Sequence, residues 1–292
     1  MSANVRDQAQ PLREMVERNA QPQRRNAIKI ATIASGKGGV GKSSLCVNIA
    51  IALSTLGYRV LVVDADFGLA NIDVMLGVNS KYNMGHLLRG ERTLREIIQE
   101  GHNGVRFISG GSGVYELLQM DEANLRTIMR DLIGLNDPAD VILFDAGAGI
   151  NDQLLQLIEA STETIIVTTP EPTAFVDAYA LIKTLANGKG QHNLRLIMNK
   201  CESRKEAQTA TVGFLEVIRR HLLLDMKLLG YILYDHNIVN SIKSQTPVMI
   251  SDPNGATSKN ILDITRTFMD IPIDEGGPVK RISKLFERLL GG

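Results

Sequence analysis

The chain has 292 residues with 32 basic and 32 acidic side chains, so its formal net charge is zero and no global field draws it to nucleic acid. Hydrophobic residues make up 44% and aromatics only 4%, a composition for Val/Ile/Leu/Ala cores such as sheets covered by helices on both faces. Cys46 and Cys201 form no C-x-x-C pair, which excludes a disulfide scaffold or thiolate cluster; both read as small apolar residues in a reducing cytosol.

Residues 1–27 are polar, hold two prolines and the run "QRRN", and read as an arm ahead of the domain. The arm does not resemble a secretory leader, and no apolar run approaches the ~20 residues of a spanning helix, so a cytoplasmic protein is expected. From Ile28 onward short apolar runs alternate with helical patterns. The runs "IKIATIAS", "RVLVVDAD", "GVRFISG", "DVILFDAG", "ETIIVTTP", "LRLIMNK" and "KLLGYILYD" each read as a buried strand. Amphipathic helices are predicted between them, over 42–56, 121–134, 172–186 and 203–223. Such alternation predicts an α/β fold with a doubly wound, mostly parallel sheet, whose ligands bind at the carboxyl ends of the strands. The expected organisation is a nucleotide-binding domain over 28–270, a linker over 271–278 and a last helical segment over 279–292.

Residues 36–43 fit G-x-x-x-x-G-K-[ST] between a strand and a helix, the context a phosphate loop requires. Gly36, Gly38, Gly39 and Gly41 let the backbone wrap a phosphate, with Val40 and Ser44 completing the cradle. Lys42 is placed to neutralise the β/γ oxygens, and the Ser43 hydroxyl to hold Mg²⁺. The second strand ends in "DADFGLANID", where Asp64 and Asp66 alternate and project to one side. Asp66, further into the loop, is the candidate to orient an attacking water; the plainer reading is a capping carboxylate. Asp145, after the four apolar residues of "VILFD", is the candidate Mg²⁺ acid. Gly147 and Gly149 behind it predict a flexible loop able to sense the γ-phosphate.

"KGGVGKSS" resembles the deviant phosphate loop of the MinD/ParA family, with an extra lysine right after the first glycine. The resemblance spans roughly residues 28–250, with "DADFGLANIDVMLG" similar to the family's switch I and "TTPEPTAFVDAYALIKTL" to its segment after the fifth strand. It implies ATP and Mg²⁺ as cofactors, slow switch-type hydrolysis and an ATP-dependent homodimer. In that dimer Lys37 would reach the partner's phosphates, while Lys42 serves its own. The resemblance also puts Asn199 at the adenine edge. Asp235 lies in "GYILYD", where Leu233 replaces the family's proline, and Ala146 stands where relatives carry Ser or Thr.

In "VKRISKLFERLL", Val279, Ile282, Leu285, Phe286, Leu289 and Leu290 fall on one side of a helix and the charged residues on the other. This basic amphipathic helix reads as an interfacial anchor for an anionic membrane, and resembles the family's C-terminal targeting segment. Docking on its own domain is the alternative. In the arm, "DQAQPLR" matches the D-Q-A-x-x-L-R motif of the flagellar branch of the family, FlhG (FleN), through Asp7, Gln8, Ala9, Leu12 and Arg13. That resemblance implies binding to the signal-recognition-type GTPase FlhF, with Gln8 offered to its active site, and a role in flagellar number and placement. Flagellar assembly proteins are further partners it allows, and the inner face of the cell membrane is the expected location of the ATP-bound state. Division-site placement of the MinD kind, and a nucleotide-gated scaffold with negligible turnover, are the competing readings.

Overall fold

The computed structural model describes residues 28–66, 71–111, 122–135, 137–188, 190 and 192–272. The arm over 1–27, the segment over 273–292 and hence the partner-binding and membrane residues predicted there lie outside the described residues. Eight strands are described: β1 (Lys29–Ser35), β2 (Val60–Ala65), β3 (Gln99–Glu100), β4 (Arg106–Ile108), β5 (Val141–Ala148), β6 (Glu163–Thr168), β7 (Leu194–Cys201) and β8 (Lys227–Leu233). They form one sheet in the order β3-β4-β2-β5-β1-β6-β7-β8. All neighbours run parallel except β3 and β4, where Gln99 faces Phe107 and Glu100 faces Arg106. The seven predicted strands are all present; β3 is additional, because two residues carry no alternation to read.

The longer helices are α1 (Lys42–Thr55), then α5 (Glu122–Ile133), α6 (Asp152–Glu159), α7 (Pro172–Ala186), α8 (Arg204–Leu222), α9 (His236–Lys243) and α11 (Ala256–Phe268). Short turns of helix lie between them: α2 (Ile72–Met75), α3 (Met84–Leu88), α4 (Leu94–Ile97) and α10 (Val248–Ser251), with a 3₁₀ turn at His102–Gly104. Successive strand residues enter opposite layers, as the pleat demands. Ala31 and Ile33 of β1 pack with Leu45 and Ile49 of α1 and with Ile261 and Phe268 of α11. Ile30 and Ala34 face the other layer, with Leu157 of α6, Leu181 of α7 and Leu215 of α8. Helices on both faces explain why the strands read as unbroken apolar runs.

Helix α1 departs from the amphipathic pattern expected of it. Every residue from Ser44 to Leu53 is buried. The helix lies between the sheet and the C-terminal part of the domain, and the buried Asn48 accepts the Met249 N–H of α10 at 3.0 Å. A helix covered on both sides has no polar face to display.

At the opposite end of the sheet, Glu163 at the start of β6 is buried between two cations. Lys29 Nζ approaches its Oε1 at 2.8 Å and Arg195 Nη2 donates to the same oxygen at 3.2 Å. Arg195 Nε lies 2.8 Å from Oε2 as an ionic contact without hydrogen-bond alignment. Lys29 Nζ also donates to the Phe268 carbonyl at 2.6 Å, which ties the end of α11 to the start of β1. Among the described residues no helix is long and apolar enough to cross a membrane.

Candidate nucleotide site

The turn between β1 and α1 carries the glycine-rich motif to the carboxyl edge of the sheet. Gly39 and Gly41 adopt left-handed backbone, φ 78° and 91°, which glycine enters without penalty. A Cβ on Gly41 would also lie 2.4 Å from the Asn199 amide nitrogen. At Gly36 the constraint is packing: a Cβ there would sit 2.2 Å from the Asp177 backbone of α7. The motif's first glycine therefore seats the loop on α7 rather than facing the ligand.

Above the loop opens a cavity of about 730 Å³. Lys37, Gly38, Gly39, Val40, Gly41, Lys42, Ser43, Ser44, Asp66, Asn199 and Asp235 all line it, so the carboxyl ends of β1, β2, β7 and β8 converge there. Asp145 lies behind this lining and is fully buried. Lys42 Nζ donates to its Oδ1 at 2.7 Å, while Oδ2 has no hydrogen-bond partner. Ser43, Asp66 and Asp145 supply hard oxygen donors of the kind Mg²⁺ takes. Among the described residues no three His, Cys, Asp or Glu side chains cluster as a metal cage. That fits an ion held by one or two carboxylates, a hydroxyl and the ligand's own phosphates. The unpaired Asp145 oxygen is the observation that makes room for it.

The two aspartates at the end of β2, Asp64 within the strand and Asp66 just past it, divide their work. Asp64 is fully buried; its Oδ1 accepts the Asp66 N–H at 3.1 Å, and its Oδ2 accepts those of Asn71 and Ile72 at 2.9 and 3.1 Å. Burial, and next the neighbouring Asp145, push its carboxyl up to about 7, against the pull of those three N–H groups. Asp64 thus anchors both ends of the segment whose first residue is Asp66. Asp66 itself lines the cavity; burial holds its carboxyl above the usual range, Lys42 pulls it down and Asp145 pushes it up again. Strand β5 continues to Ala148, so Gly147 is strand and the turn expected behind Asp145 starts only at Gly149, φ 90°.

The two lysines of the loop take different surroundings. Lys42 is buried against Asp145, whereas Lys37 stands at the rim with 37% of its side chain exposed. Its Nζ donates to Glu171 Oε2 at 3.0 Å and Thr173 Oγ1 at 2.8 Å, at the start of α7.

At the far end of the cavity Asn199 Nδ2 donates to the Val40 carbonyl at 2.7 Å, leaving its Oδ1 buried without a partner. Asp235 lines the cavity while capping α9: it accepts the Asn237 N–H at 2.8 Å and the Thr257 hydroxyl at 2.5 Å. Leu233, Ile238, Val239, Ile242 and Met75 form an apolar wall beside it, a surface suited to an aromatic base. Sequence reading missed that wall, because α9 and α2 are too short to show a clear period. It also missed Lys200, which lines the cavity and donates to the Gly39 carbonyl at 2.7 Å.

Comparison with known proteins agrees with this geometry. The ParA family model described as "NUBPL iron-transfer P-loop NTPase" matches residues 26–269. The antiactivator FleN of Pseudomonas aeruginosa is 32% identical over 79% of this chain and 82% of its own. The flagellum site-determining protein YlxH of Helicobacter pylori is 35% identical over 90% of both chains. The septum site-determining protein MinD of Pyrococcus horikoshii, solved with Mg-ADP, superposes with a TM-score of 0.70 over 83% of this chain and 96% of its own. At 24% identity that likeness speaks for the fold alone. The phosphate loop, the aspartates converging on it, the doubly wound sheet and these matches together place the chain in the ParA/MinD family of P-loop ATPases.

Proposed function

We propose that this ATPase is a nucleotide-gated switch controlling flagellar number or placement, in which ATP drives a face-to-face homodimer and hydrolysis dissolves it. The observation that carries the reading is the second lysine. Lys42 is committed to the buried carboxylate of its own subunit, while Lys37 stands at the cavity rim, where its ammonium rests on the exposed Glu171 and on Thr173. Two apposed triphosphates repel strongly at short range, and a rim cation from each subunit offsets that repulsion. The names of the Pseudomonas and Helicobacter relatives support the flagellar assignment. The pattern Asp7, Gln8, Ala9, Leu12 and Arg13 supports binding of the arm to FlhF, and the apolar face from Val279 to Leu290 supports attachment of the ATP dimer to anionic membrane.

Within the site each residue has one task. Loop N–H groups and Lys42 bind the phosphates, and Ser43 with Asp145 would hold Mg²⁺, which draws charge from the transferring phosphoryl oxygens. Asp66, fixed through Asp64, orients the attacking water by accepting its proton in a hydrogen bond. Size-exclusion chromatography with ADP and with ATP tests the reading. The wild type should be a monomer with ADP and a dimer with ATP; Lys37→Ala should stay monomeric, and Asp66→Ala should stay dimeric as ATP ages. A Lys37→Ala protein that dimerises normally with ATP refutes it.

A further inference from the structure

We infer that Lys200, together with Asn199, is a positioning residue that presets the phosphate loop before nucleotide arrives. Strand alternation would send Asn199 and Lys200 to opposite faces of the sheet. The register of β7 against β8 shifts between Met198 and Cys201, and Lys200 takes left-handed backbone at φ 56°. A non-glycine residue held there is strained, and such strain persists where surrounding contacts impose it. Its effect is to turn both side chains onto the same loop. Asn199 Nδ2 holds the Val40 carbonyl and Lys200 Nζ holds the Gly39 carbonyl, each at 2.7 Å.

Two adjacent peptide planes are thereby fixed from outside. In a trans peptide the C=O and the following N–H point in opposite directions. Holding the Gly39 oxygen therefore aims the Val40 N–H, and holding the Val40 oxygen aims the Gly41 N–H, away from Asn199 and Lys200 and into the cradle. Among the described residues neither N–H has a protein acceptor. The loop would otherwise spend binding energy on orienting these donors; fixed in advance, they meet a phosphate oxygen without reorganisation. Gly41 belongs to the same arrangement, since any side chain there would displace the Asn199 amide.

This inference rests on the cavity being the nucleotide site, and the two claims fail separately. Binding of ADP, AMP and adenosine to the full chain is measured by competition against a fluorescent ADP analogue, for wild type, Lys200→Met and Lys200→Arg. Wild type that does not bind the analogue refutes the nucleotide site itself. Lys200→Met keeps the aliphatic stem and loses only the donor. It should weaken ADP about fivefold, the scale of one partly exposed charged hydrogen bond. Adenosine, which has no phosphate to meet the loop, should change less than twofold, and Lys200→Arg should recover most of the ADP affinity. Equal weakening of ADP and adenosine would mean that Lys200 contacts the nucleoside directly, and unchanged ADP affinity would mean that it positions nothing; either overturns the inference. Thermal melting of the ligand-free variants, unchanged for Lys200→Met, separates positioning from general loss of structure.

Discussion

Asp64 and Gly41 show how far single residues are bound by their surroundings. Asp64 keeps its proton to about pH 7 in the folded chain, against an ordinary 3.8. The folded state then binds more protons than the unfolded one between those values, so stability falls as pH rises through that window. The full cost, reached above pH 7, is on the order of 4 kcal/mol. Urea unfolding of ligand-free protein in EDTA should therefore show higher stability at pH 5 than at pH 7.5, and Asp64→Asn should flatten that slope. An unchanged slope would locate the effect elsewhere. Gly41→Ala places a side chain at φ 91° and against the Asn199 amide. It should cost about 1–2 kcal/mol of stability from the backbone alone, read as a lowered melting temperature, and should weaken ADP binding as well.

The elements are organised around the two ends of the sheet. At the carboxyl end the strand termini deliver the polar residues of the site. At the amino end the buried Glu163 joins β1, β6 and β7 through Lys29 and Arg195, and α11 is tied in through the Phe268 carbonyl. Removing the carboxylate takes the shared partner from Lys29 and from Arg195, which keeps only the half-exposed Asp270 at 3.7 Å, a loss of about 3–5 kcal/mol for a buried pair. Glu163→Ala should show that loss in denaturant titration while its ADP affinity, measured well below the unfolding transition, stays within twofold of wild type. Much of this scale was legible in the chain. Seven strands and the helices α1, α5, α7 and α8 were read from period and length within a residue or two of their ends. Helices α6 and α9, eight residues each, are too short for period alone to mark them, although Asn151 and Asp235 cap them.

For the whole molecule, the domain over residues 28–272 is one sheet covered by a helical layer on each face, with the nucleotide cavity along its carboxyl edge. The ends of the described domain meet at the ionic cluster on the opposite edge: Lys29 holds the Phe268 carbonyl, and Asp270 lies 3.7 Å from Arg195. Deleting 279–292 should abolish ATP-dependent sedimentation with anionic liposomes and leave ATP-dependent dimerisation intact; undiminished sedimentation would remove the anchor from the proposed function.

The family, the parallel α/β sheet and the phosphate loop were determined by the sequence alone, because local rules carry them. Glycine spacing, a strand before and a helix after, and apolar runs too short to be anything but buried strands all act within a few residues. Tertiary structure decided what those residues do with their neighbours. Gly36 serves packing on α7, Asp64 holds the ends of a segment rather than facing the ligand, and α1 is covered on both sides. Lys200 reaches the loop because a shift in strand register and one left-handed residue overrule the alternation that sequence spacing predicts. Each of these depends on contacts between segments far apart in the chain, and such contacts leave no periodic trace in either segment.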